Sequence, residues 1–378
     1  MRSRLVFLAT IIALALPVAA QDHAAGVQTA FARAQHLKRG INVSHWFSQS
    51  DEDYSAYHTD HDTTPADIAL MAKMGFDNVR LSIEAMALEQ TPVGADGLNA
   101  DFTPRLDKAV DAILANGMDV LIDVHPEDMY KQQMRTSDDS VDRFVALWGK
   151  LAAHYANRDP DRVFFEILNE PEIADARWAG IQQRAAVAIR EVAPHNTIIA
   201  AGGNYSDIQN LLALHPLPDG NVIYNFHFYD PHEFTHQGAG WGVPWWKYLH
   251  NIPYPPTESA MQESLQELPD PANRYALENY WLDHWDAHRI QLLMDEGAQW
   301  GKDNHVPLIC NEFGVFRDHS DPASRAAWIH DVRTALEADG IGWAMWDFHG
   351  SFGVVIQHSG QPAKVDAPIA AALGLPGN

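Results

Sequence analysis

Eight short apolar runs recur along this chain, each separated from the next by a longer stretch with helical periodicity. They lie at Gly40–Ser44, Asn78–Ser82, Asp119–Val124, Val163–Leu168, Thr197–Ala200, Val222–His227, Val306–Asn311 and Ile341–Trp346. Most are continuous rather than alternating in polarity, the pattern of parallel strands covered on both faces. The helical patterns fall at Pro65–Met74, Pro104–Asn116, Ser140–Tyr155, Asp175–Val192, Tyr205–Leu214, Leu277–Trp300, Pro322–Ala338 and Ala367–Leu373. Thr64 and Asp321 precede Pro65 and Pro322 as N-caps, and Gly75, Gly117 and Gly340 follow helix ends. Eight strand–helix units predict a single-domain (β/α)8 TIM barrel with its chemistry at the carboxyl ends of the strands. A doubly wound open sheet would require a glycine-rich phosphate turn after an early strand, and the sequence has none. No repeat, heptad array or polar linker divides the chain.

Two of the runs end in an acid: Phe165-Glu166-Ile167-Leu168-Asn169-Glu170-Pro171 and Leu308-Ile309-Cys310-Asn311-Glu312-Phe313-Gly314. A carboxylate at a buried strand end is costly to desolvate without a partner or a task. Only a closed fold brings Glu170 and Glu312 to one place, since they are far apart in sequence. Two carboxyls on one cleft are the minimum for cleaving a glycosidic bond, one giving a proton while the other attacks or activates water. Other strand ends are polar too: Arg80, His125, Asn169, His227, Tyr229 and Trp346. Packing alone does not explain so many on the face where barrel enzymes work.

Met1-Arg2-Ser3-Arg4, an apolar stretch from Leu5 to Pro17 and Val18-Ala19-Ala20 have the form of a secretory signal cut after Ala20. This predicts residues 1–20 as signal and 21–378 as catalytic domain, exported to a periplasm or beyond the cell. No later segment is apolar and long enough to span a bilayer. The net charge of −24 disfavours nucleic acid and anionic membranes as partners. It suits an exported enzyme acting on a neutral polymer, and no obligate protein partner is implied. Cys310 is the sole cysteine, so an internal disulfide is impossible and a buried core thiol is expected.

The longest connection, from Phe228 to about Tyr275, follows the sixth strand and is rich in aromatics. They include Phe234, Trp241, Trp245, Trp246, Tyr248 and Tyr254. A long segment of this kind inside a compact domain usually has a function. Sugar rings stack their CH faces on aromatic side chains, so exposed tryptophans near the cleft are candidate polysaccharide contacts. The alternative is a segment held down by its own aromatic cluster.

The ordered set Asn78-Val79-Arg80, Asp123-Val124-His125, Leu168-Asn169-Glu170-Pro171, His227-Phe228-Tyr229, Asn311-Glu312-Phe313-Gly314 and Trp343-Ala344-Met345-Trp346-Asp347-Phe348 resembles glycoside hydrolase family 5. The run from Pro231 to Ala239 resembles the segment after the sixth strand in that family's bacterial endoglucanases. The resemblance covers essentially the whole chain after the signal. It implies a retaining endo-β-1,4-glucanase with Glu170 as acid/base and Glu312 as nucleophile. Arg80 and Tyr229 would orient Glu312, His227 would tune Glu170, and Asn169 would bind the sugar 2-hydroxyl. His125 would contact the glycone, Trp346 would form its stacking floor, and Trp46, Trp241, Trp245 and Trp246 would add substrate contacts. No metal or organic cofactor is implied. The chain departs from the family at Pro126, where relatives carry a second histidine, and in Ser44-His45-Trp46-Phe47-Ser48-Gln49. Asp347 stands where glutamate is frequent. These glycone-side changes leave β-mannanase and mixed β-glucanase as alternatives.

Twenty histidines also raise a zinc-dependent barrel hydrolase, but the first strand lacks the paired histidine such a site uses. His58, His61, His232 and His236 fall in connecting segments. A barrel that only binds carbohydrate is a further alternative, disfavoured because both glutamates are present.

Overall fold

The structure, a computed structural model, describes residues 18–50, 53–268, 270–357 and 361–376. Residues 1–17 of the expected export signal lie outside the described residues. Eight strands form the centre: β1 Arg39–Phe47, β2 Asn78–Ile83, β3 Asp119–Val124, β4 Val163–Glu166, β5 Ile198–Ala201, β6 Val222–Phe228, β7 Leu308–Phe313 and β8 Gly342–Met345. Each pairs in parallel with the next, and β8 returns to β1, closing the barrel in sequence order. Every residue of β2 to β8 is buried, which is why these segments read as unbroken apolar runs. The single-domain (β/α)8 architecture agrees with the sequence pattern. Among the described residues, no helix is long and apolar enough to cross a membrane.

The barrel interior changes character along its axis. Near the amino ends of the strands, Leu121, Phe164, Ile199, Ile223 and Ile309 pack with Ala30, Ala34 and Leu37 in one apolar cluster. Those last three come from helix Val18–Ala34 and the residues just after it, a segment the helical periodicity did not single out. Arg33 pins that helix, donating to the His195 carbonyl at 2.5 Å, Thr197 Oγ1 at 2.9 Å and Asp161 at 2.8 Å. Farther along the strands the interior turns polar, with Asn42, Arg80, Asp123, Glu166, Asn225 and Asn311 all buried. That layer underlies the catalytic face.

The caps read from sequence are present. Thr64 Oγ1 accepts from the Asp67 N–H while Asp67 accepts from the Thr64 N–H, a reciprocal cap opening helix Pro65–Met74. Asp321 caps Pro322–Ala338, and Gly75, with φ of +91°, ends the earlier helix where a Cβ would be strained. Two helical expectations need correction. The pattern Leu277–Trp300 is two helices, Pro271–Leu282 and Ala287–Asn304. His284 is left-handed between them and Asp286 starts the second by accepting from the Arg289 N–H, so local capping overrides a continuous apolar stripe. The pattern from Tyr205 begins as helix only at Ile208, because Asp207 is its N-cap. The connection after β6 is not structureless either: it holds helices His232–Thr235 and Glu258–Glu267 and a 3₁₀ turn Trp246–Tyr248.

Candidate active site

Arg80 is the hub of the site. It stands mid-strand in β2 rather than at its end, opposite Asn42 of β1, and is wholly buried. Its Nε and Nη2 donate to Glu166 at 2.8 and 2.7 Å. Nη2 also reaches Asn169 Oδ1 at 2.9 Å and Asp123 Oδ2 at 3.0 Å. Nη1 donates to Asn42 Oδ1 at 3.0 Å and to Glu312 Oε1 at 2.5 Å. A guanidinium suits this task because its planar fork fixes the direction of every N–H.

Glu312 lies inside β7, and its second oxygen accepts from the Tyr229 hydroxyl at 2.9 Å. Burial raises the phenol of Tyr229 well above its usual range, with the carboxylates of Glu312 and Glu170 adding to the effect, so it is a neutral donor. Glu170 sits past the end of β4 on a backbone with φ of +37°, unusual for a residue with a side chain. Strain at such a position costs about 1–3 kcal/mol and is typical of functional sites. His227 Nδ1 lies 2.9 Å from Glu170 Oε1 and 3.5 Å from Glu312 Oε2. One oxygen from each glutamate and one nitrogen of His227 all fall within 4.8 Å of one another.

The two acids differ in surroundings. Burial raises the proton affinity of both. For Glu312 the Arg80 guanidinium, in direct contact, opposes that rise. Among the described residues no lysine or arginine touches Glu170; Lys131 and Arg80 act on it from farther away. The Glu170 side chain is 25% exposed and that of Glu312 5%, so Glu170 is the one open to the mouth. With one proton to share, Glu170 holds it and Glu312 stays ionised. Burial keeps His227 below its usual range, and so neutral near pH 7.

A second chain of contacts orients Asn169. Its Oδ1 accepts from Arg80, which leaves Nδ2 to donate to His125 Nε2 at 3.0 Å. His125 Nδ1 is 2.9 Å from Asp123 Oδ2, so this nitrogen carries the proton. Burial and the Arg80 charge hold the His125 imidazole well below its usual range. Burial lifts Asp123 to about 6 against the pull of Arg80. The His125 ring stacks on the partly exposed Trp346, centroids 5.6 Å apart and planes 19° apart.

The structure thus gathers Glu170, Glu312, Arg80, His125, Asn169, His227, Tyr229 and Trp346. The other tryptophans divide. Trp46 is 5% exposed and its indole N–H donates to the Thr59 carbonyl at 2.7 Å, so it is packing rather than an open sugar platform. Trp246 is stacked against His232 at 5.4 Å and is partly buried. Trp241 is half exposed, standing edge-on to Phe316 at 4.9 Å. Trp245 and Trp246, with Tyr205, His232, Tyr275 and Trp285, wall a cavity of about 620 Å³ beside the loop after β6. Phe234 and Tyr254 are buried against each other, as the aromatic-cluster alternative expected. Cys310 is buried, as expected, with its thiol pushed up out of reach of ionisation by burial.

Sequence reasoning passed over Asp123, Glu166, Asn225, Asn311 and Asn42 as members of the site. Their signal was present: each is a polar side chain inside a run that is otherwise apolar.

Comparison with known proteins agrees with this geometry. Residues 38–351 match the family model for cellulase (glycosyl hydrolase family 5). Endoglucanase C of Acetivibrio thermocellus is 30% identical over 319 residues, covering 82% of this chain and 91% of that protein. Cellodextrinase A of Ruminococcus flavefaciens is 32% identical over 220 residues, 55% of this chain and 63% of that one. Thermotoga maritima Cel5A in complex with cellobiose superposes with a TM-score of 0.72 at 25% identity, covering 91% of this chain and 99% of that one. A family match over most of the chain, on a barrel whose paired glutamates converge at the carboxyl ends of its strands, makes this protein a cellulase-type glycoside hydrolase of glycosyl hydrolase family 5.

Proposed function

We propose that the protein is a retaining endo-β-1,4-glucanase that works by double displacement. The observation that carries this is the spacing of the two acids, an oxygen of each within 4.8 Å, with Arg80 on one and His227 beside the other. Carboxyl groups about 5–5.5 Å apart suit covalent capture, whereas direct attack by water needs roughly 6.5–9.5 Å.

In the first step a Glu312 oxygen attacks the anomeric carbon while Glu170 gives its proton to the glycosidic oxygen. The carbon–oxygen bond to the leaving chain breaks and a glycosyl ester forms on Glu312. Glu170, now ionised, takes a proton from water, whose oxygen attacks the same carbon and releases Glu312. Two inversions return the original anomeric configuration. Asn169, held by Arg80 and His125, presents its amide to the 2-hydroxyl, and Trp346 supplies the stacking face for the same sugar. The names of the relatives, an endoglucanase foremost, support a β-1,4-glucan substrate. The amino-terminal sequence supports export before the enzyme meets its polymer.

The test is reducing-sugar release on carboxymethyl cellulose, mixed-linkage glucan, xyloglucan and mannan, with Glu312→Ala as the control. Release from β-1,4-glucan, abolished in Glu312→Ala, is the expected result. Greater release from mannan would overturn the substrate, and full activity in the variant would overturn the nucleophile.

A further inference from the structure

Glu166 closes β4 and is 1% exposed. It accepts four hydrogen bonds. Oε2 takes Arg80 Nε at 2.8 Å and Asn311 Nδ2 at 2.7 Å, while Oε1 takes Arg80 Nη2 at 2.7 Å and Asn225 Nδ2 at 3.1 Å. Two per oxygen is the acceptor complement of a carboxylate. Among the described residues, Asn225 Oδ1 is buried without a hydrogen-bond partner, while the Asn311 side chain also interacts with His227. The Asn225 amide is therefore aimed at Glu166 at the expense of its own oxygen, and Asn311 ties Glu166 to His227.

Counter-charge alone does not account for this residue. One guanidinium already faces Asp123 at 3.0 Å and Glu312 at 2.5 Å. A third buried carboxylate adds desolvation cost without being needed for neutrality. What it adds is direction. Glu166 grips the Nε/Nη2 edge of the Arg80 fork in bidentate fashion, which leaves Nη1 facing Asn42 and Glu312. Glu312 makes a single contact with Arg80 and cannot set that angle itself.

We infer that Glu166 is a positioning residue for the displacement, holding the Arg80 fork so that Nη1 stays on Oε1 of Glu312. The inference rests on the proposed role of Glu312 as nucleophile. A misplacement near 1 Å in such a constellation can cost about a hundredfold in rate.

The experiment compares wild type, Glu166→Asp and Glu166→Gln for kcat, KM, Tm and the pH dependence of kcat/KM on a soluble β-1,4-glucan. Glu166→Asp keeps the charge but shortens the reach; Glu166→Gln keeps the reach but turns an N–H toward existing donors. Both should lower kcat about tenfold or more while KM moves less than about twofold. The acid limb should move to higher pH, because a displaced Arg80 no longer holds Glu312 ionised. Wild-type kcat in Glu166→Asp would overturn the inference, since charge would then suffice. An acid limb displaced to lower pH would also overturn it, as would an unmoved one, because Glu166 would then act only as a repelling charge or a structural prop. Should Glu166→Gln fail to fold, Asn225→Ala removes one of the four donors and should show the same upward displacement at smaller size; a wild-type profile there contradicts the inference. Absence of wild-type turnover on every β-glucan would instead bring down the functional reading beneath it.

Discussion

The Tyr229 hydroxyl donates to Oε2 of Glu312 at 2.9 Å, while Arg80 donates to Oε1 of the same carboxylate. Glu312 therefore receives one neutral and one charged donor, on different oxygens. The phenol cannot compete as an acid, since burial keeps its proton in place. The attack proposed for Glu312 needs it ionised and correctly turned, and this pair of donors favours both conditions.

Tyr229→Phe removes the neutral donor and nothing else of comparable size. A hydrogen bond to a charged group contributes about 1.5–3 kcal/mol, so kcat/KM should fall about 10- to 100-fold. The acid limb should also move upward, because Glu312 loses a contact that favours its charged form. Steady-state kinetics across pH measure both effects, and an unchanged acid limb would count against the assigned contact.

Glu170 gives the opposite limb. Burial raises its proton affinity, and the proposed first step needs that proton present. The rate therefore falls as pH rises through the raised value. On a natural cello-oligosaccharide, kcat/KM should show this alkaline decline. With a dinitrophenyl cellobioside, whose leaving group departs without a proton, the decline should vanish. Glu170→Ala should retain kcat/KM on the activated compound while losing about 10²- to 10⁴-fold on the natural one. Equal losses on both substrates would remove the acid from Glu170.

Much of this arrangement was legible in the sequence. Buried parallel strands leave long apolar runs, and Glu170 and Glu312 stood out where two of those runs gave way to acids. Arg80 was legible as a residue but not as a mid-strand hub, because its side chain reaches toward the mouth from inside β2. Glu166 and Asp123 were hidden for the same reason: they sit within strands, and only barrel closure turns them toward a common axis. Trp46 misled because an indole ring reads alike whether it faces sugar or core; its N–H is committed to the Thr59 carbonyl. Helix Val18–Ala34 was missed since its contacts are with strand ends distant in the chain, and the break at His284 since a left-handed residue leaves no mark on hydrophobic periodicity.

Arg33 joins the amino-terminal helix to the opposite end of the barrel from the chemistry. Its part-buried bond to the His195 carbonyl and buried bond to Thr197 matter more than its pairing with the exposed Asp161. Arg33→Ala should destabilise the fold by about 1–3 kcal/mol, the loss of its charged bonds to two acceptors that keep only Asn221 as partner, with kcat unchanged at moderate temperature. Chemical denaturation and steady-state assays on the same preparation separate these effects.

Trp245 lines the cavity beside the loop after β6 and is only partly buried. If it meets the polymer away from the cleavage point, Trp245→Ala should raise KM for cellohexaose about tenfold and leave cellotriose within about twofold, a loss of roughly 1.4 kcal/mol confined to the longer chain. Equal effects on both lengths would assign the residue to packing.

Covalent capture of sugar by Glu312 is read out by mass spectrometry of the intact protein followed by peptide mapping. After incubation with a 2-deoxy-2-fluoro cellobioside bearing a good leaving group, one glycosyl adduct per chain is expected, carried by the peptide containing Glu312. An adduct on any other residue, or none from a preparation that cleaves glucan and is inactivated by neither that reagent nor Glu312→Ala, would contradict it.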